Sequence, residues 1–264
     1  MVQRLKLYKI AVIILAGLVI IETAGLIYLS FRKPKALVFK KAAVFKGKIA
    51  IVIDDWGYNL NNLEIVRQIK SPLTASLLPN LAYSKEVAQE LHTLGFEVIL
   101  HLPMEPAEKY HLEKNTILVS MDEAMIKRII EEDLKNISYA RGVSNHMGSL
   151  ATQDTKIMEI ILNQLKNRRL YFLDSLVSKK SVCALLAKKI GIGFAKRDIF
   201  LDNIADPEYI RGQIYKLKTR ARVKGAAVGI GHDRKNTLEV LKEELPKLEK
   251  EGFKLVFVSD LITR

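Results

Sequence analysis

Hydrophobic and polar positions along this chain change rhythm twice. Ile10–Phe31 is almost unbroken apolar sequence, with Glu22 and Thr23 the only strong interruptions. About 20 apolar residues span a bilayer as a helix, so a transmembrane helix is predicted within residues 1–31. Residues 32–47 lack such a run and read as a basic linker. From Lys48 onward, short apolar runs alternate with helical stripes. The runs predict strands at Lys48–Ile53, Leu73–Leu78, Glu97–Leu100, Arg141–Val143, Leu170–Leu173, Ile192–Ala195, Ala226–Ile230 and Lys254–Val258. Helices are predicted between them, at Tyr83–Leu94, Met121–Asn136, Gln153–Asn167, Ser181–Ile190, Pro207–Val223 and Thr237–Glu251. Ser120-Met121-Asp122-Glu123 reads as a capping box at the start of the second of these. Pro246 is expected to kink or divide the last. Gly95, Gly191 and Gly252 follow helices where a C-terminal cap belongs.

Alternating strand and helix patterns predict a parallel sheet with helices outside it. Seven or eight such units in residues 48–264 predict a distorted (β/α) barrel, with an open doubly wound sheet as the alternative. Pro103–Val119 is the longest insertion and is expected to form one wall of a cleft.

Charge changes the picture at the N-terminus. The net charge is +13 over 264 residues. Residues 1–48 hold ten Lys/Arg against the single acid Glu22, a surplus of nine. The rest of the chain holds 32 basic and 28 acidic residues, a surplus of four. A nucleic-acid-binding domain would carry its surplus on the folded part, so nucleic acid is not an expected partner. Basic residues flank the apolar stretch on both sides, so they do not fix its orientation. Its length, and the poor small-x-small site at Glu22-Thr23-Ala24, favour an uncleaved anchor over a cleaved signal peptide. The one cysteine, Cys183, excludes an intrachain disulfide and reads as a packed small hydrophobe.

Five polar clusters follow strand candidates: Asp54-Asp55, His101, Asn145-His146, Asp174 and His232. In a parallel β/α fold those strand ends converge on one face. Aspartate and histidine are the residue types that hold a divalent metal and move protons beside it. Asp54 and Asp55 are adjacent, and side chains alternate along a strand, so the two are expected to point apart. Arg197 is placed to orient a carboxylate through a bidentate pair. Asp202 and Asn203 read as loop or cap residues, and His92 and His111 as structural or surface residues. The chain has no phosphate-binding glycine loop, nucleophile elbow or paired-cysteine zinc motif.

The runs IVIDDWG, HLPMEP, SNHMGS, FLDS, RDIFLDN and GIGHD, in this order, resemble the divergent polysaccharide deacetylase family. That family belongs to the β/α-barrel sugar deacetylases. The resemblance covers Lys46 to Thr263. It implies a distorted barrel, a divalent metal (zinc foremost), a glycan substrate and a place in the cell envelope, outside the cytoplasmic membrane. It also implies that Asp54 is the catalytic base, Asp55 a metal ligand and His232 the general acid. The better-studied deacetylases carry two metal-binding histidines in one short motif. Here Asn145–Leu150 offers only His146, and His101 is proposed to supply the other from a different strand. Asn145, Asp174 and Arg197 are assigned substrate-binding or supporting places. The expected chemistry is metal-assisted hydrolysis of an N- or O-acetyl group. A membrane-tethered glycan-binding or scaffolding module without turnover is the alternative. A metal-dependent phosphoesterase is a third reading, and it would need more ligands for a second metal.

Overall fold

A computed structural model of the chain describes residues 1–31 and 45–263. The predicted basic linker lies outside the described residues except for its last three. The chain divides into two units, Met1–Ala42 and Ala43–Arg264. The first holds one helix, α1 (Val2–Phe31), with no buried residue and a mean hydropathy of 2.6 in its most apolar window. It is long and apolar enough to cross a membrane. Thr23 and Ser30 donate their hydroxyls back to carbonyls one turn earlier, so neither is left unsatisfied in an apolar surrounding.

The second unit opens with β1 (Gly47–Trp56), a short helix α2 (Leu63–Val66), β2 (Thr74–Leu77), α3 (Ser84–Thr93) and β3 (Glu97–Met104). It continues through α4 (Glu123–Asn136), β4 (Gly142–Met147), α5 (Thr155–Asn167), β5 (Tyr171–Asp174), α6 (Cys183–Ile190) and β6 (Phe194–Lys196). β7 (Ile199–Phe200), α7 (Pro207–Lys224), β8 (Ala226–His232), α8 (Lys235–Lys250) and β9 (Phe253–Val256) complete it. The strands pair in parallel in the order β6-β5-β4-β3-β2-β1-β8-β7. The predicted distorted barrel is therefore a curled sheet that stays open between β6 and β7. β1 is its centre. One edge carries β8 along Lys48–Asp54, and the other carries β9 beside Gly47–Ala50 and β2 beside Val52–Trp56.

Alternation along the strands builds two apolar layers. Ile49, Ile51 and Ile53 pack outward with the helices, while Ala50 and Val52 face a smaller inner cluster with Ile99, Leu173, Val228 and Ile230. A strand buried on both faces reads as a continuous apolar run, as β1 does. Asp122, Asp154 and Asp206 cap α4, α5 and α7 by accepting N–H bonds from Met125, Ile157 and Tyr209. The cap of α4 is thus Asp122, not Ser120. A carboxylate two residues later accepts the same kind of bond and starts the helix there. Pro246 does not divide α8, which runs on to Lys250. Gly95, Gly191 and Gly252 all have positive φ after their helices, as expected of caps.

Gly142 opens β4 under the ring of Tyr171. A Cβ built on it would lie 2.5 Å from that ring. Tyr171 is buried and its hydroxyl is anchored on Glu97, so the ring has little room to retreat. Gly142→Ala is expected to destabilise the second unit by about 1–3 kcal/mol, the usual cost of overpacking. Urea unfolding followed by circular dichroism checks this; an unchanged midpoint would mean that Tyr171 moves aside freely.

Candidate functional site

The strands run further than their apolar patterns suggest. β1, β3, β4 and β8 each extend to include the polar residues at their C-terminal ends. Register then brings those residues together. Asp54 pairs with His232 across β1 and β8, and His101 pairs with Ser144 across β3 and β4.

Asp54 follows Ala50 and Val52 onto the inner face. Strict alternation would send Asp55 outward. Instead its backbone takes a positive φ of 65°, and the β1–β2 register slips between Ile53 and Trp56. A bulge with one left-handed residue re-aims a side chain, and aspartate tolerates that conformation better than most residues. Both carboxylates therefore reach one imidazole. His101 Nε2 lies 3.6 Å from Asp54 Oδ2 and 3.3 Å from Asp55 Oδ1. The expectation that the two aspartates point apart is corrected by this bulge.

His101 is buried, and its Nδ1 lies 2.7 Å from the Ser144 hydroxyl, which in turn lies 2.7 Å from that of Ser76. That chain fixes the ring with Nε2 toward the carboxylates. His146 accompanies it edge-on, with ring centroids 5.0 Å apart, and its Nδ1 meets Asp55 Oδ1 at 3.1 Å. Asp55, His101 and His146 each offer a ligand atom within 4.8 Å of the others. Two polar atoms here, Asp54 Oδ1 and His146 Nε2, are buried without a partner. Leaving such atoms unpaired costs about 1–3 kcal/mol each. One carboxylate and two imidazoles are a donor set suited to a divalent metal such as zinc. The residues present therefore fit a metal ion.

The two aspartates are driven apart electrostatically. Burial raises the Asp54 carboxyl above its ordinary range; His101 works against this and Asp55 adds to it. Burial would raise Asp55 too, but hydrogen bonds from His101 and His146, with their charge, hold it far below the usual carboxylate range.

His232 has its own carboxylate. Its Nδ1–H donates to Asp202 Oδ1 at 2.7 Å, and its backbone N–H donates to Asp202 Oδ2 at 2.9 Å. Thr237 also donates to Oδ2, at 2.6 Å. Burial disfavours the imidazolium, but the bond to Asp202 and its charge outweigh burial and raise the His232 pKa. The Phe200 ring stacks on His232 at 5.9 Å, and the Arg197 guanidinium sits 3.6 Å from the centre of Phe200 on the same stack.

Three residues assigned to substrate binding or support make hydrogen bonds to the loop after β5, and Arg197 is also close enough to Asp54 for their charges to interact. Asn145 accepts the Ser175 N–H at 2.9 Å and donates to Met147 O at 2.7 Å. Asp174 accepts from Leu176 N–H and the Ser181 hydroxyl. Arg197 makes no bidentate carboxylate pair among the described residues; its Nε and Nη2 donate to the carbonyls of Ser175 and Leu176 at 2.6 and 2.8 Å. Leu176 sits at a positive φ of 48°, and that turn presents both carbonyls to one guanidinium. Asp202, Ser76 and Ser144 were not singled out as site residues by their sequence context. The Asp202 signal, an aspartate after Ile199-Phe200-Leu201, is carried by a strand of only two residues. The insertion after β3 folds back on itself through the Glu105 N–H to Ile117 O bond, and its Glu113 accepts a hydrogen bond from the Tyr58 hydroxyl just beyond Asp55.

Residues 51–262 match the divergent polysaccharide deacetylase family, and the chain belongs to it. The protein YibQ of Escherichia coli K12 is 37% identical over 208 residues, which span 79% of this chain and 65% of YibQ. The crystal structure of protein ATU2773 from Agrobacterium tumefaciens C58 superposes with a TM-score of 0.79 at 21% identity, covering 83% of this chain and 91% of that one. A family 4 carbohydrate esterase from Streptomyces lividans, solved with acetate, superposes at 0.52 and 14% identity over 81% of this chain and 94% of its own. The two structures share the fold of this chain.

The Asp202–His232 pair carries a pH signature. A raised histidine pKa adds stability fully below the ordinary value of 6.5, and that contribution fades as pH rises through the raised value. The lowered Asp202 adds stability above the ordinary value of 3.8, and that contribution fades as pH falls through the lowered value. The pair is most stabilising between about pH 4 and 6.5. Asp202→Asn is expected to lower the His232 midpoint in an imidazole NMR titration. An unmoved midpoint would show that Asp202 does not set it.

Proposed function

We propose that this protein is a metal-dependent hydrolase that removes acetyl groups from an envelope glycan. One observation carries the reading. A buried carboxylate of raised pKa and a carboxylate-supported imidazole occupy paired positions on β1 and β8, beside three side chains that fit a metal ion. Proton transfer needs a base and an acid poised on either side of the reacting carbon, and this pairing supplies one of each.

Asp55, His101 and His146 would hold the ion, and zinc suits their nitrogen and oxygen donors. Bound there, a metal supplies Lewis-acid polarisation of an acyl oxygen and a more acidic water. Asp54 takes the proton of the attacking water. Its raised pKa makes it a stronger base than an exposed aspartate once ionised. His232, protonated and held by Asp202, gives its proton to the departing amine or hydroxyl of the sugar. The acetyl C–N or C–O bond breaks, and acetate leaves. Arg197 and Phe200 back the His232 ring and limit its rotation. α1 would tether the domain to the cytoplasmic membrane, with the domain on the outer side where acetylated glycans lie.

Metal content by mass spectrometry and acetate release from N-acetylated glycan oligomers test this on the purified full chain. About one zinc per chain is expected, lost in His101→Ala and in His146→Ala. Asp54→Asn and His232→Ala should keep the metal and lower turnover by about 10²–10⁴-fold, the usual worth of a general base or acid. Metal and glycan binding without any acetate release in the parent would overturn the hydrolase reading in favour of a binding module.

A further inference from the structure

A large cavity of the domain lies away from the metal cluster. It has a volume of about 740 Å³ and lies at the other end of the sheet. Its lining includes Glu97 and Tyr171, the first residues of β3 and β5, and Arg141 and Arg169, which lie just before β4 and β5. Glu97 and His101 are four residues apart on one strand, so the cavity floor and the metal cluster are separated by about 13 Å of strand.

The floor is built. Glu97 is 7% exposed, and its Oε1 accepts bonds from Thr74 Oγ1 at 2.8 Å, the Tyr171 hydroxyl at 3.0 Å and Ser259 N–H at 3.3 Å. Its second oxygen, Oε2, has no hydrogen-bond partner among the described residues, so a buried carboxylate offers one unused acceptor at the cavity. The rim has the opposite character. Arg141 and Arg169 are exposed, and neither guanidinium has a hydrogen bond, ion pair or ring partner among the described residues. Lys166 is already committed to the carbonyl of Ile190. One wall is the stacked pair His92 and Tyr139, with ring centroids 4.4 Å apart.

We propose that this cavity is a second binding site, for a small organic anion that also carries a hydrogen-bond donor. The anionic group meets Arg141 and Arg169 at the rim. A hydroxyl or ammonium group reaches Glu97 Oε2 on the floor, and the body of the ligand lies along the His92–Tyr139 wall. The volume falls in the range of small-molecule sites, about 300–1,000 Å³. The site needs neither the metal nor the hydrolase reading.

Isothermal titration calorimetry on the full chain tests it with three probes: inorganic phosphate, glucosamine, and glucosamine 6-phosphate, which carries both groups. Glucosamine 6-phosphate is expected to bind at least tenfold tighter than either fragment. Arg141→Ala with Arg169→Ala, both exposed and safe for folding, should weaken it at least tenfold. Glu97→Gln should remove most of its advantage over phosphate, while His146→Ala should leave binding unchanged. Equal binding by phosphate alone, full affinity in the double arginine variant, or loss in His146→Ala would each overturn the proposal.

Discussion

Two adjacent carboxylates share the inner face of the sheet because the backbone at Asp55 turns left-handed, at a φ of 65°. Without that turn, alternation would leave Asp54 among the inner residues and send Asp55 toward the helices. With it, two carboxylates and two imidazoles crowd one small volume at the end of β1. Like charges this close cannot both stay ionised without help. The structure splits them, with Asp54 pushed up by burial and Asp55 held down by its histidine bonds. Backbone strain at a site is explained when it places a group that ordinary geometry cannot. Here it separates a carboxylate suited to hold a cation from one suited to carry a proton.

The rest of the sheet makes that crowding tolerable. β1 is flanked on both edges and buried on both faces, so its end is held rigidly. His101 is oriented from behind by Ser144 and Ser76, residues of the two neighbouring strands. A buried hydroxyl pair of this kind is expensive if half satisfied and orienting if complete. The loop after β5 is tied down separately. Asn145, Asp174 and Arg197 each make side-chain hydrogen bonds to residues within 175–181 and so shape the rim of the site.

Much of this is legible in the amino-acid sequence. Alternating apolar runs and helical stripes predicted the parallel β/α architecture. The polar residues that end those runs include all three that the structure brings together, Asp55, His101 and His146, with Asp54 and His232 beside them. The losses have physical causes. Period-2 reasoning cannot foresee a bulge, so Asp55 was expected to face away from Asp54. A two-residue strand such as β7 leaves no periodic signal, and Asp202, which follows it, reads in sequence as a loop or cap residue. Arg197 was read from its charge alone, whereas its partners are backbone carbonyls made available by the left-handed Leu176. Such partners leave no trace in side-chain chemistry. The cavity beneath the sheet was invisible for another reason: its residues come from strand starts and helix ends spread over most of the domain.

Asp54 and His232, the proposed base and acid, differ in how they are tuned, and the difference follows from burial. Asp54 is inside the sheet, where desolvation dominates and favours the neutral acid. His232 is partly buried, and its desolvation is outweighed by an ionised partner that is itself bound by Thr237 and by backbone. A cation beside Asp55 would lower the Asp54 pKa and free that carboxylate to accept a proton. It would also oppose the charge on His232. Asp202 supplies the compensation on the far side of the imidazole ring, so that His232 can stay protonated while Asp54 is ionised. The charges alternate from the Asp55 cluster through His232 to Asp202. That alternation lets neighbouring groups hold opposite protonation states at one pH, as the proposed hydrolysis would require of its base and acid.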